Sequence, residues 1–284
     1  MDKENVIGID LGATNIRGAI VSGDNLSAIL SQRIKNSGTE EDVLQDIYLV
    51  TDALIAKDKI QAIGIGVPGV VDLKEGIVYD VQYIPSWREV PLKKIMEDRY
   101  HLPVFINNDA NCFALGEHYF GIGKDVESMI GLTIGTGLGA GIIINNKLFA
   151  GMNCGAGEIG CINYLDNILE YYCSGSFFNN VYHLDGEQVY KRATEGDQEA
   201  LKLYSELGTH VGNAILMVMY AYDPALIVLG GSVRHAFMFF EKTMWEKIWT
   251  IFYKKSVERL RIEVSTLYNS GILGAAALCF DARL

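Results

Sequence analysis

Leu132-Thr133-Ile134-Gly135-Thr136-Gly137-Leu138-Gly139-Ala140-Gly141 carries the reading of the fold, because its plan occurs twice in the chain. Ser128 to Ile134 has the composition of a buried strand, the Gly/Thr run that of a turn, and Ile142 to Ile144 that of a returning strand. Near the N-terminus Val6 to Asp10 is a short β-branched run ending in an acid. Leu11-Gly12-Ala13-Thr14-Asn15 follows as a turn and Ile16 to Val21 as a second strand. Strand, Gly/Thr turn, strand, met twice, reads as a weak internal repeat and implies two related α/β halves facing each other across a cleft. Glycine in such a turn lets backbone N–H groups approach phosphate oxygens, and a threonine hydroxyl adds a donor. The second run is not a dinucleotide fingerprint, which needs a helix after its glycines, and it lacks the Gly-Lys-Ser/Thr of a Walker loop. Each turn alone is also compatible with an ordinary hairpin; two together can clamp a polyphosphate.

The remaining pattern is alternating α/β. Glu40 to Ala56 has apolar residues at helical spacing, and Ala62 to Val67 is a buried strand closed by Pro68-Gly69. Val104 to Ile106 is a strand ending at Asn107-Asn108-Asp109, with a helix from Ala110 to Phe120. Gly121-Ile122-Gly123-Lys124 is turn-like and marks a domain boundary. Beyond it come a helix at Gln198 to Tyr222 and a strand at Ala225 to Leu229, ending in Gly230-Gly231. An aromatic-rich helix at Phe237 to Tyr253, a strand at Ile262 to Val264 and a small-residue helix at Gly271 to Phe280 complete the chain.

Composition narrows the function. A chain of 284 residues, 49% hydrophobic, is long enough for two cores. A net charge of −11 argues against nucleic acid and anionic membranes as partners, both of which want clustered Lys and Arg. It leaves room for a nucleotide held by backbone N–H groups and a metal ion. Five cysteines without a C-x-x-C pair do not make a secreted disulfide framework. The N-terminus runs into a strand rather than a signal peptide, and no apolar run is long enough for a bilayer, so a cytoplasmic protein is expected.

Four groups of residues could carry chemistry. Asp10, at a strand end before Gly12 and Thr14, can hold Mg²⁺ through water. Gly135, Thr136 and Gly137 form the second phosphate turn. Asp109 in Asn108-Asp109-Ala110-Asn111 is either a helix cap or a general base, since a sugar hydroxyl is a poor nucleophile until a carboxylate takes its proton. Glu158, in Gly155-Ala156-Gly157-Glu158-Ile159-Gly160, and Glu170 are acids suited to bidentate bonds with adjacent sugar hydroxyls, or are simply solvated loop acids. Arg17 reads as a structural ion-pair partner, and the aromatics of 237–253 as core or a subunit contact.

Taken in order, these motifs resemble the ROK family (repressor, open reading frame, kinase), nearly end to end. Besides the two turns, Gly64-Ile65-Gly66-Val67-Pro68-Gly69-Val70-Val71-Asp72 resembles its sugar-side strand and turn. Trp87-x-x-Val90-Pro91-Leu92, the Asn108–Asn111 motif, Gly157-Glu158-Ile159-Gly160 and Leu169-Glu170 match in turn. The resemblance implies a two-domain actin-like (ribonuclease H-like) ATPase fold with a central cleft. Residues 1–120, completed by a C-terminal helix at 271–284, would form the smaller, sugar-side domain and 121–270 the larger one. It implies an ATP- and Mg²⁺-dependent hexose kinase acting on O6, with Asp109 as base. Gly69, Asn108, Glu158, Cys161 and Glu170 would meet the sugar; Asp10, Gly12, Thr14, Gly135, Thr136, Gly137, Gly230 and Gly231 would meet ATP. A homodimer or larger assembly is implied too.

Two departures bear on the substrate. Cys161 stands where the family has a histidine, and the cysteine loop that completes a structural zinc site is missing between Cys161 and Glu170. Cys161 and Cys173 fall short of four ligands, so no zinc is expected. An N-acetylmannosamine, N-acetylglucosamine or allose kinase is the alternative to a glucose kinase. A sugar sensor without turnover is the reading from another class. The family's repressors add a helix-turn-helix ahead of the first turn, for which no room is expected here.

Overall fold

Val6, Ile7, Ile9 and Leu11 are all buried, which is why Asn5–Leu11 (β1) forms a strand covered on both faces. The computed structural model describes residues 4–12, 14–81, 83–152 and 154–282. Ala13 of the first turn, residues 1–3 and the last two residues of the 271–284 segment lie outside these. Two units are formed: Met1–Asp125 with Gly141–Ala156 and Leu267–Leu284, and Val126–Ala140 with Gly157–Thr266.

In the first unit β1 pairs antiparallel with β2 (Asn15–Ser22), with Asp10 opposite Arg17. The short strands β3 (Asn25–Leu26) and β4 (Leu30–Arg33) flank β2. Helix α1 (Glu40–Ile55) starts at a capping box: Thr39 and Asp42 bond reciprocally, three acids fill the first turn, and Val43, Ile47, Val50 and Leu54 are buried. Strand β5 (Ala62–Val67) is parallel to β1. A small sheet of β6 (Val70–Asp72), β7 (Ile77–Tyr79) and β8 (Glu89–Val90) leads to α2 (Leu92–Tyr100), β9 (Val104–Asn108) and α3 (Asp109–Phe120).

Strands β10 (Met129–Ile134), β11 (Leu138–Ile144) and β12 (Lys147–Leu148) follow. A two-stranded ribbon, β13 (Asn163–Tyr164) and β14 (Asn167–Ile168), precedes α4 (Leu169–Cys173), α5 (Phe177–Tyr182) and α6 (Gly186–Thr194). The long α7 (Gln198–Tyr222) is capped by Asp197, which accepts from Glu199 N and Ala200 N. Strand β15 (Leu226–Gly230), α8 (Phe237–Ile248), α9 (Lys254–Arg259), β16 (Arg261–Val264) and α10 (Ser270–Asp281) end the chain.

The repeat read in the sequence is a repeat of topology. One sheet runs β3-β2-β1-β5-β9 and the other β12-β11-β10-β15-β16, with the last three strands parallel in each. The small-residue helix α10 packs directly on backbone: a Cβ at Gly8 would fall 2.1 Å from Ile272 O, and one at Gly64 1.8 Å from Ala275 O. No other residue fits at either strand position without moving the helix.

Two boundaries differ from the sequence expectation. The returning strand begins at Leu138, not Ile142, so Gly139 and Gly141 lie inside it. A Cβ on Gly141 would come within 2.5 Å of Ala110 O, so this glycine marks a close approach rather than a turn. The aromatic helix stops at Ile248 rather than Tyr253. Its apolar period ends there: Trp249, Phe252 and Tyr253 are exposed while Ile251 is buried.

Candidate functional site

In the first unit the strand-end acid is already paired. Register places Arg17 across from Asp10, and its Nη2 lies 2.5 Å from Asp10 Oδ2, making the ion pair expected from the sequence. Asp10 also lies against the start of α10, since a Cβ at Gly271 would sit 2.8 Å from its carboxylate. A helix N-terminus is a favourable place for a negative charge. Gly12 N donates to Asn15 O (3.0 Å) to close the turn. Asn15 Nδ2 donates to Thr14 Oγ1 (3.0 Å), which leaves the Thr14 hydroxyl proton for another acceptor. Thr14 is exposed.

Asn108 caps α3: its Oδ1 accepts from Ala110 N (2.9 Å), while its Nδ2 donates to Gly69 O (3.3 Å). The amide thus joins the end of β9 to the turn after β5. Asp109 is the first residue of α3 and is exposed, so of the two acceptors at this helix end the N-cap is Asn108. Below them Asn107, 5% exposed, accepts at Oδ1 from Asn108 N, Asn111 Nδ2 and Cys154 Sγ. Burial, then the Asp109 and Asp10 charges, push the neighbouring Cys112 thiol up, so it stays protonated and is no nucleophile.

In the second unit Gly135 N donates to Gly137 O (3.0 Å), which narrows the turn to three residues and leaves Thr136 exposed at its tip. A Cβ at Gly135 would meet nothing within 4 Å among the described residues. Glu170, on α4, turns its carboxylate to this loop: Oε2 accepts from Leu138 N (2.9 Å). Glu158 ends the Gly-rich loop just before a 3-10 turn at Ile159–Cys161. Desolvation first, and then the Glu170 charge, hold its carboxyl above the usual range. Cys161 is exposed as a residue, yet its sulfur is desolvated enough, and near enough to Glu158 and Glu170, that its thiol is also pushed up. At the end of β15, Gly231 has φ 76°, and a Cβ there would meet Ile134 O at 2.2 Å. Gly230 and Gly231 therefore lie against the strand that leads into the second turn.

Several positioning residues left no signal in the sequence. Gly175 N donates to Gly135 O (2.7 Å) and Ser176 Oγ to Thr136 O (2.8 Å), so both brace the second turn from far along the chain. Cys154 reaches Asn107 in the same way.

The donor types fit the implied groups. Exposed Thr14 and Thr136 hydroxyls and glycine turns offer donors to phosphate oxygens, and the carboxylate of Asp10 is a hard oxygen ligand of the kind Mg²⁺ takes singly alongside phosphates. Among the described residues no three His, Cys, Asp or Glu side chains come together as a metal cluster. Cys173 is buried and its thiol pushed well up by that burial.

Comparison with known proteins bears on the whole chain. The pattern of the ROK family matches residues 6–282. The xylose repressor of Caldicellulosiruptor bescii is 29% identical, over 100% of this chain and 80% of the repressor. The glucokinase of Thermotoga maritima is 27% identical over 98% of both chains. The crystal structure of a ROK family glucokinase from Streptomyces griseus in complex with glucose and AMPPNP aligns with a TM-score of 0.79 at 28% identity, over 96% of this chain and 98% of that one.

Proposed function

We propose, given that this chain belongs to the ROK family and has the actin-like ATPase fold of its sugar kinases, that it is an ATP-dependent hexose kinase. A hydroxyl oxygen of the sugar, O6 by family resemblance, attacks the γ-phosphorus while Asp109 takes its proton. The bond from γ-phosphorus to the β-phosphate bridging oxygen breaks, and ADP leaves. Asn108, Gly69, Glu158, Cys161 and Glu170 serve the sugar; Gly12, Thr14, Gly135, Thr136 and Gly137 serve the phosphates, and Gly230 and Gly231 the nucleoside. Mg²⁺, when bound, offsets the phosphate charge. Asp10 is the group that would hold it through water, with Oδ2 kept in place by Arg17.

The observation that carries this reading is at the start of α3: Asn108 is the N-cap, and Asp109 beside it is exposed while its Oδ1 accepts from Ala110 N (2.9 Å). The Asp109→Asn variant is expected to lose about 10²–10⁴-fold in turnover at saturating sugar, measured as ADP release; near wild-type turnover would remove the base assignment. A panel of glucose, allose, N-acetylmannosamine and N-acetylglucosamine in the same assay identifies the substrate. The kinase works without structural zinc, in the cytoplasm, as a dimer or larger assembly; metal analysis and sedimentation test the first and last.

The likeness to a xylose repressor over the whole chain supports a second reading, a sugar-responsive protein without turnover. Binding of a sugar by calorimetry with no ADP release from ATP would select it.

A further inference from the structure

Within the second unit, one short segment holds the phosphate turn at three points. Glu170 Oε2 accepts from Leu138 N at 2.9 Å, Gly175 N donates to Gly135 O at 2.7 Å, and Ser176 Oγ donates to Thr136 O at 2.8 Å. The fit around Gly137 is close: a Cβ there would lie 2.5 Å from Glu170 Oε2, so the carboxylate occupies the space a side chain would need. The segment is anchored on its far side. Leu169 and Cys173 are fully buried, Tyr171 donates its hydroxyl to Asn180 O (2.7 Å), and Asn180 Nδ2 donates back to Tyr171 O (3.2 Å). Helix α4 has only five residues, too few to hold its own orientation through helical bonds. Its place is set by these contacts, with the turn on one side and α5 on the other.

We propose that Glu170 and Ser176 are positioning residues that make sugar binding and ordering of the phosphate turn a single event. Oε2 of Glu170 holds the turn, and Oε1, which takes no part in that bond, accepts from a sugar hydroxyl. A bound sugar therefore adds a further hold on α4 and, through Leu138, Gly135 and Thr136, stiffens the turn that receives the triphosphate. The inference rests on the reading that Glu170 meets the sugar. Its energetic basis is that the first ligand orders a segment the second would otherwise have to order itself, so each tightens the other by the same factor.

The test is calorimetry on the full chain, with glucose, allose and N-acetylmannosamine as sugar probes and Mg²⁺–AMPPNP as the nucleotide probe. Each is titrated with and without the other. The wild type is expected to show a reciprocal tightening of about 5–150-fold. In Ser176→Ala the factor falls to within about twofold of unity while sugar affinity measured alone changes by less than about twofold, and Ser176→Thr, which keeps the hydroxyl, restores it. In Gly137→Ala, a change in the nucleotide turn, sugar affinity without nucleotide falls by about tenfold or more because the new Cβ displaces the Glu170 carboxylate. Independent binding in the wild type overturns the inference, as does a Ser176→Ala variant that keeps the coupling or a Gly137→Ala variant with unchanged sugar affinity. Those results leave the kinase reading standing. Failure of all three sugars to bind overturns the sugar reading together with the inference.

Discussion

The turn after β1 and the turn after β10 connect equivalent strands of two sheets with the same order, but they are held in place by different means. The first is held mainly by its own hairpin, where Gly12 N bonds Asn15 O and Arg17 pairs with Asp10, with Ile34 N donating to Thr14 O (2.9 Å) from the end of β4 and the start of α10 lying against Asp10. The second has one such local bond, Gly135 N to Gly137 O, and is otherwise braced by Glu170, Gly175 and Ser176, with Gly231 pressed against the strand leading into it. A repeated sequence plan thus preserves the backbone path without preserving what supports it. The first turn takes most of its side-chain support from within the hairpin, while the second takes its own from residues more than thirty positions further along the chain.

That contrast is testable by how much each turn's supports matter. The largest effect is expected at Gly231→Ala. Its backbone conformation, φ 76° and ψ 177°, is one that only glycine adopts readily, and the added Cβ meets Ile134 O at 2.2 Å. A loss of about 3 kcal/mol in chemical denaturation is expected. Removing the first turn's brace by Arg17→Gln should cost less than about 1 kcal/mol, because the Arg17 side chain is 44% exposed and the pair is solvent-screened. If Arg17→Gln proves the more damaging of the two, the division into a local and a remote support is wrong.

The smallest effect is electrostatic and belongs to the second unit alone. Glu158 has its folded carboxyl raised above the unfolded value by desolvation and by Glu170. The folded state therefore binds that proton more tightly. The stability it contributes is present below the unfolded carboxylate range and is lost as pH rises through the raised value. Glu158→Gln should then be slightly more stable than wild type at neutral pH, by under about 1 kcal/mol after solvent screening, with the advantage disappearing in acid. Denaturation midpoints of the two proteins as a function of pH measure this; a constant difference across the range would show that Glu170 and partial desolvation do not act on the carboxyl of Glu158, an exposed residue.

Much of the site could be read in the chain because its signals are local. Asp10 and Arg17 lie on either side of one turn, so strand register alone brings them together. Asn108 and Asp109 sit where a β-branched run gives way to a helical period, which places them at a helix start. The choice between cap and base for Asp109 was not readable, since both residues can accept from Ala110 N and only the backbone conformation of Asn108 (φ −62°, ψ 150°) makes it the N-cap. The glycines of β11 look like turn residues in the sequence for a related reason. A glycine required by a helix packed above it and one required by a positive φ look the same in a sequence.

By itself, the sequence determined the α/β class, the duplicated hairpins, the family and the acids available for chemistry, because periodicity, turn composition and short motifs act between near neighbours. Only the tertiary structure decided that Glu170 bonds the second Gly/Thr turn, that Ser176 braces Thr136, that Cys154 secures Asn107 and that Gly231 must lack a side chain. These are contacts between residues far apart in the chain. Their geometry is set by how helices and sheets close over one another, and no local pattern encodes it.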